Sequence, residues 1–206
     1  MKKYISKLHY ITQDLPQRSH IEQVETACIA GANWIQYRCL TKTDKELIDE
    51  INQIASICDD WGTTLILTNH YHLLDEVDAQ GVHIEDMDAD FSHIRDVINE
   101  DKTLGASANN ITRLIKLQND GFVDYCGYGP FAHSDTNTNN YPLGFAAYRE
   151  LEKQPVDLPV IAVGGIQLTD VDALLHTNIY GIAVSSAVNL ALNPAETLKE
   201  FYRKIY

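Results

Sequence analysis

No apolar run in this sequence approaches the roughly 20 residues a membrane-spanning helix needs, which argues against a helical membrane protein. The opening segment, MKKYISKLHYIT, carries positive charge but lacks the apolar core of a secretion signal, so a soluble, cytoplasmic chain is expected. Cysteine is sparse. Cys28, Cys39, Cys58 and Cys126 are scattered, with no CxxC pair and no histidine cluster at zinc spacing. A zinc ribbon or a disulfide framework is therefore excluded, and reduced thiols serving as small apolar filler are expected, with Cys39 set apart by its place after a strand. Basic residues are scarce too: 16 Lys and Arg against 29 Asp and Glu give a net charge of −13. Such a surface repels nucleic acid and anionic membranes. It does not exclude one phosphorylated small molecule, because local donors outweigh a diffuse field screened beyond roughly 10 Å. Neither a glycine-rich dinucleotide fingerprint nor a nucleophile elbow occurs, which disfavours an open doubly wound sheet and acyl transfer.

What is present is an alternation of strands and helices. With 206 residues, 45% of them apolar, the chain can bury one core. Eight short β-branched or aromatic runs recur, at 8–12, 34–38, 64–69, 81–85, 103–108, 124–129, 159–164 and 180–185. Helical patterns separate most of them. Leu47, Ile48, Ile51, Ile54, Ala55 and Cys58 form one apolar stripe, with Asp44 read as its N-cap. Further helices are read at 21–30, 91–99, 111–119, 145–154, 171–177 and 195–204, with Thr169 and Asn193-Pro194 as start signals. The gap after the third strand admits only a short helix, and His133 to Asn140 reads as a long polar loop. Apolar strands such as VIAV suit a parallel sheet covered on both faces. The expected fold is α/β, a single-domain (β/α)8 TIM barrel over residues 1–206.

In such a barrel the chemistry sits at the carboxyl ends of the strands. Gln36 and Arg38, two apart, project to the same side; Arg38 there seeks either an anion or a structural ion pair with a nearby acid. His83 is read equally as a hydrogen-bonded structural imidazole and as a ligand contact. Glu85, Asp86, Asp88 and Asp90 are consistent with a magnesium site, with a solvated loop or with a helix start. Gly164-Gly165 fits a turn demanding positive φ or a phosphate cradle, and Ser185-Ser186 at the next strand end favours the cradle.

Taken in order, WIQYR, LTN, AQGVHIEDMD, LGASA, DYCGYGPF, PVIAVGGI and GIAVSSAV resemble the motifs of the thiamine phosphate synthases and their TenI-type relatives over essentially the whole chain. That resemblance implies a transferase of thiamine biosynthesis, which couples a hydroxymethylpyrimidine diphosphate to a thiazole phosphate and releases pyrophosphate with magnesium (Mg2+). Gln36, Asn69 and His83 would then face the pyrimidine, and Arg38 and Ser107 the diphosphate. Asp88 would bind magnesium, while Gly164, Gly165, Ser185 and Ser186 would hold the thiazole phosphate. The implied partners are these small molecules alone, with a homo-oligomer left open.

The sequence also departs from the pattern. The REK lysine is Leu40 and its glutamate Cys39, and the aspartate after Asn69 is His70, which removes one expected magnesium ligand. The TxTK loop reads Ser134-Asp135-Thr136-Asn137, without lysine. Lys42 and His133 are the candidates to replace the lost cations. The histidine of SxH is Asn109, which cannot act as an acid or base near neutrality, whereas the added His70 can carry a proton. Three readings stay open: a synthase-like transferase using Arg38, Ser107 and His70, a TenI-type thiazole tautomerase, and a non-catalytic binding barrel.

Overall fold

Strands four to six residues long alternate with helices along the chain, and the parity of their side chains explains how they pack. The computed structural model describes residues 3–133 and 141–206. β1 (Leu8–Ile11), β2 (Trp34–Tyr37), β3 (Thr64–Thr68), β4 (Gly81–Ile84), β5 (Thr103–Ala108), β6 (Tyr125–Tyr128), β7 (Val160–Val163) and β8 (Gly181–Val184) pair in parallel and in order. β8 returns to β1 through Leu8 opposite Ile182, so the barrel is closed and the open-sheet alternative is excluded.

Alternate residues of each strand face opposite ways. Ile11, Trp34, Ile66, Tyr125, Ile161 and Ala183 form an inner cluster. Leu8, Tyr10, Ile35, Tyr37, Leu65, Leu67, Val82, Ile182 and Val184 belong to the larger cluster beneath the helices. The helices are α1 (His20–Ile29), α2 (Asp44–Trp61), α3 (Phe91–Ile98), α4 (Ile111–Asp120), α5 (Gly144–Leu151), α6 (Val171–Leu175), α7 (Ser186–Asn189) and α8 (Pro194–Ile205). Among the described residues, β3 and β4 are joined only by a 3-10 turn at Tyr71–Leu73, the short connection expected there.

Helix starts depart from the sequence reading in places. α1 begins with a full capping box: Ser19 Oγ accepts the Glu22 N–H, and Glu22 accepts the Ser19 N–H. For α2 the N-cap is Thr43 rather than Asp44, because Thr43 is the residue with extended backbone and Glu46 reaches back to its N–H. Asp44 is already helical, where its charge favours the helix start. α6 follows Asp170 rather than Thr169, and α8 starts as expected at Asn193-Pro194. Of the polar loop, Ser134, Asp135, Thr136 and Asn137 lie outside the described residues. No described helix is long and apolar enough to cross a membrane.

Candidate active site

The carboxyl ends of the strands open on a cavity of about 170 Å³. Gln36 and Arg38 reach it from β2, His83 and Glu85 from β4, and Ser107 from β5; Gly164, Gly165, Ser185 and Ser186 bound it at the ends of β7 and β8. Asn69, His70 and Asp88 share this end of the barrel but do not line the cavity. Asn69 holds a left-handed turn, φ 64°, and its Oδ1 accepts the Glu85 N–H at 2.8 Å, which fixes the end of β4. His70 Nε2 lies 3.1 Å from the Cys39 carbonyl oxygen.

His83 is the centre of the polar interior. Its Nδ1 lies 3.1 Å from the Tyr125 hydroxyl and its Nε2 3.0 Å from Ser107 Oγ. Burial lowers the imidazole to about 4, only partly opposed by the Glu85 carboxylate, so the ring is neutral at pH 7. Burial also pushes the Tyr125 phenol well above its ordinary value, so it keeps its proton. With no other acceptor for that proton among the described residues, Tyr125 donates to Nδ1. Nε2–H then donates to Ser107, whose own hydroxyl proton is free for a bound molecule. Gly105 makes this contact fit: a Cβ there would come within 2.2 Å of the Tyr125 ring and 2.6 Å of His83 Nδ1. Gln36, on β2, donates to Thr68 Oγ1 at the end of β3 at 2.9 Å.

Charge is scarce in the cavity. Arg38 takes the ion-pair reading: its Nε and Nη2 donate to Glu85 at 2.8 and 3.2 Å, a two-point pair. Lys42 is held by the buried Glu50 at 2.6 Å and does not line the cavity. The acidic segment resolves into separate tasks. Asp86 Oδ1 accepts the Asp88 N–H, and Asp90 caps α3 through the His93 N–H. Asp88 is exposed, and its carboxylate has no partner among the described residues. One free carboxylate suits a magnesium ion that arrives with diphosphate oxygens, because such ions take one or two carboxylates plus phosphates and waters. It does not suit an ion held by protein groups alone.

At β7 the two glycines have positive φ, 94° and 69°, and a Cβ on Gly165 would lie 2.6 Å from the His133 carbonyl oxygen. The β6–α5 segment causes this crowding, because the Phe131 and Ala132 N–H groups bond to the Val163 and Gly164 oxygens. Among the described residues, the N–H groups of Gly165, Ile166, Ser186 and Ala187 have no backbone partner. All four residues border the cavity, so the wall offers donors without cations.

Tyr125 is the cavity-lining residue the sequence reading missed, and Glu85 is the partner it left unnamed among the acids near Arg38. Tyr125 was legible by parity, two residues before Gly127 and on the inward face; the Arg38–Glu85 pair spans 47 positions and has no local signal.

Comparison with known proteins points to one family and agrees with the barrel fold. Residues 8–188 match the family model described as thiamine monophosphate synthase. The chain is 28% identical over 206 residues to the thiamine-phosphate synthase of Flavobacterium johnsoniae, covering 98% of this chain and 97% of that one. It is 30% identical over 197 residues to the enzyme of that name from Phocaeicola vulgatus, covering 93% and 94%. The solved structure of thiamine phosphate pyrophosphorylase from Pyrococcus furiosus superposes with a TM-score of 0.86 at 25% identity, over 97% of this chain and 95% of that one.

Proposed function

This chain belongs to the thiamine monophosphate synthase family, and from that premise we propose that it couples a hydroxymethylpyrimidine diphosphate to a thiazole phosphate, releasing pyrophosphate, as a cytoplasmic enzyme with a weakened diphosphate site. One observation carries the reading. A single cavity joins Gln36, Arg38, His83 and Ser107 to the donor-rich wall of Gly164, Gly165, Ser185 and Ser186, so two small molecules, each bearing phosphate, can meet there.

In this reading Gln36 and His83 orient the pyrimidine, with Asn69 acting through the backbone it holds. The free Ser107 hydroxyl donates to the diphosphate, and Arg38 exchanges Glu85 for the same anion. Preorganised donors aimed at developing charge are the main source of rate in such a step. The thiazole phosphate sits against the backbone N–H groups at 165–166 and 186–187. Asp88 would hold Mg2+ together with the diphosphate oxygens; that ion, when bound, offsets charge on the leaving group. His70 is a poor replacement for a magnesium carboxylate, since magnesium prefers oxygen ligands.

A purified sample supplied with Mg2+ and both substrates tests the proposal, and pyrophosphate release is the expected result. The rate should be at least 10² to 10³-fold below that of a relative retaining the lysines and aspartate, because losing one such group commonly costs about that factor. Leu40→Lys, His70→Asp and Asn137→Lys combined should raise it more than the single changes suggest, since a clamp acts as a unit. A rate of about 1 s⁻¹ or above in the unmodified protein, unchanged in the triple variant, would place the clamp elsewhere.

A second reading has its own support. The Tyr125–His83–Ser107 chain handles protons without any cation, which suits a TenI-type thiazole tautomerase. Conversion of the thiazole tautomer without pyrimidine diphosphate, abolished by His83→Asn, would select it.

A further inference from the structure

A separate cluster of donors lies just behind the mouth. Asp14 comes from the loop after β1, His20 is the first residue of α1, and Cys39 follows β2. One donor atom from each lies within 4.8 Å of the other two, and His20 Nε2 is 3.1 Å from Asp14 Oδ1. His20 and Cys39 are buried and Asp14 is half-buried. None of the three lines the cavity or enters the chemistry described above.

Each donor is prepared for a different reason. The His20 ring is fixed from behind: its Nδ1 meets Thr12 Oγ1 at 2.9 Å, and its edge packs on Tyr37 with ring centroids 5.0 Å apart. Only Nε2 is left to face the cluster. Asp14 is opposed by burial, yet the Leu40 N–H at 3.0 Å and the side chains of His20, Cys39 and Thr41 hold its carboxyl below the ordinary value, so it is anionic. Among the described residues, Cys39 Sγ has Asp14, the Tyr37 hydroxyl and, at 3.7 Å, Thr41 Oγ1 as polar neighbours. Hydrogen bonding alone accounts for the Asp14–His20 contact. The Cys39 thiol, a weak donor, joins the same carboxylate, so an imidazole nitrogen, a carboxylate oxygen and a sulfur converge on one point.

We propose that Asp14, His20 and Cys39 bind a divalent transition metal of the zinc class, at a site distinct from the mouth. The donor chemistry selects the ion: imidazole, thiolate and carboxylate suit zinc or cobalt, whereas magnesium demands oxygen. Bonds of about 2.0 to 2.3 Å in tetrahedral array put ligand atoms roughly 3.5 Å apart, so side-chain shifts of about 1 Å complete the site. Water takes the fourth position on the exposed side of Asp14. Binding releases one proton. The Cys39 thiol loses its proton to solvent as the sulfur–metal bond forms, while the His20 proton moves from Nε2 to Nδ1 and is donated to Thr12 Oγ1. No electron is transferred, and affinity rises with pH because the metal competes with that proton. Thr12 Oγ1 also accepts the Arg38 N–H at 2.9 Å, so the ion would tie the first two strand ends together behind the mouth.

The test uses the full chain, stripped with a chelator and titrated with cobalt(II), then zinc(II). The expected result is one cobalt per chain, with a thiolate-to-cobalt charge-transfer band that zinc abolishes and excess magnesium does not. Cys39→Ser, nearly isosteric, should remove the band and weaken zinc binding by about 10² or more while Cys28, Cys58 and Cys126 remain. His20→Gln should weaken binding similarly, with circular dichroism verifying the fold of both variants. No band in the unmodified protein, or a band that survives Cys39→Ser, overturns the site and leaves the proposed synthase activity untouched.

Discussion

At the scale of single residues, the cavity's chemistry turns on one carboxylate. Arg38 is the only cationic side chain among the cavity-lining residues described, and Glu85 occupies two of its donors. Any diphosphate must displace that partner. Glu85→Ala should therefore raise affinity for inorganic pyrophosphate by about tenfold, a modest factor because the pair is partly solvated. Isothermal titration measures it, and unchanged affinity would show that Arg38 is not the anion's anchor. The opposite wall depends on neutral donors, so an added charge is the sharper probe there. Ser186→Asp should weaken thiazole phosphate binding by tenfold or more through like-charge repulsion beside the free N–H groups. Parity made Gln36 and Arg38 legible as sharing one side of their strand, since two-residue spacing fixes the side. It could not show that Arg38 meets Glu85, because that pairing depends on the register of β2 and β4 against β3 between them, which no local pattern fixes.

At the scale of elements, the strands were legible and the helix ends less so. Continuous β-branched runs such as VIAV mark a buried parallel strand, and all eight appear within a residue or two of where their composition puts them. Two adjacent residues able to cap, Thr43 and Asp44, cannot be ranked without backbone angles, which explains the shift at α2. α7, four residues long, is too short to carry a helical period. Packing between strands rests on absences as much as contacts. Gly105 on β5 leaves the volume in which Tyr125 from β6 and His83 from β4 touch. Gly105→Ala should cost about 3 kcal/mol, the upper part of the range for overpacking, since backbone and two buried rings must move. Urea denaturation reads the loss. A variant as stable as the parent would mean that the rings shift freely, and the orientation argued for His83 would fail with it.

At the scale of the whole molecule, the closed barrel encloses two imidazoles, and this sets its response to acid. His9, stacked on Trp34 at 4.4 Å between ring centroids, is lowered to about 3 by burial and by the neighbouring His83, itself lowered to about 4. Both rings are neutral in the folded protein, while in the unfolded chain they bind protons near 6.5. Between those values the unfolded state holds more protons, so stability is fully present above pH 6.5 and falls as pH drops toward 4 and 3. For His83 the 2.5-unit difference corresponds to about 3 kcal/mol. The carboxylates act in a lower window. Asp14, Glu22 and Glu46 have lowered folded values, so their contribution is lost only as pH falls below about 4. Thermal melting from pH 7 to 4 should therefore show a decline that begins near 6.5, before the carboxylates titrate. His9→Gln, which can keep a donor toward the Ser6 carbonyl while removing the proton site, should make that decline shallower and leave the loss below pH 4 in place. Equal slopes in parent and variant between pH 6.5 and 4 would mean that His9 is hydrated in solution and that the barrel floor is not the sealed, low-dielectric space its packing describes.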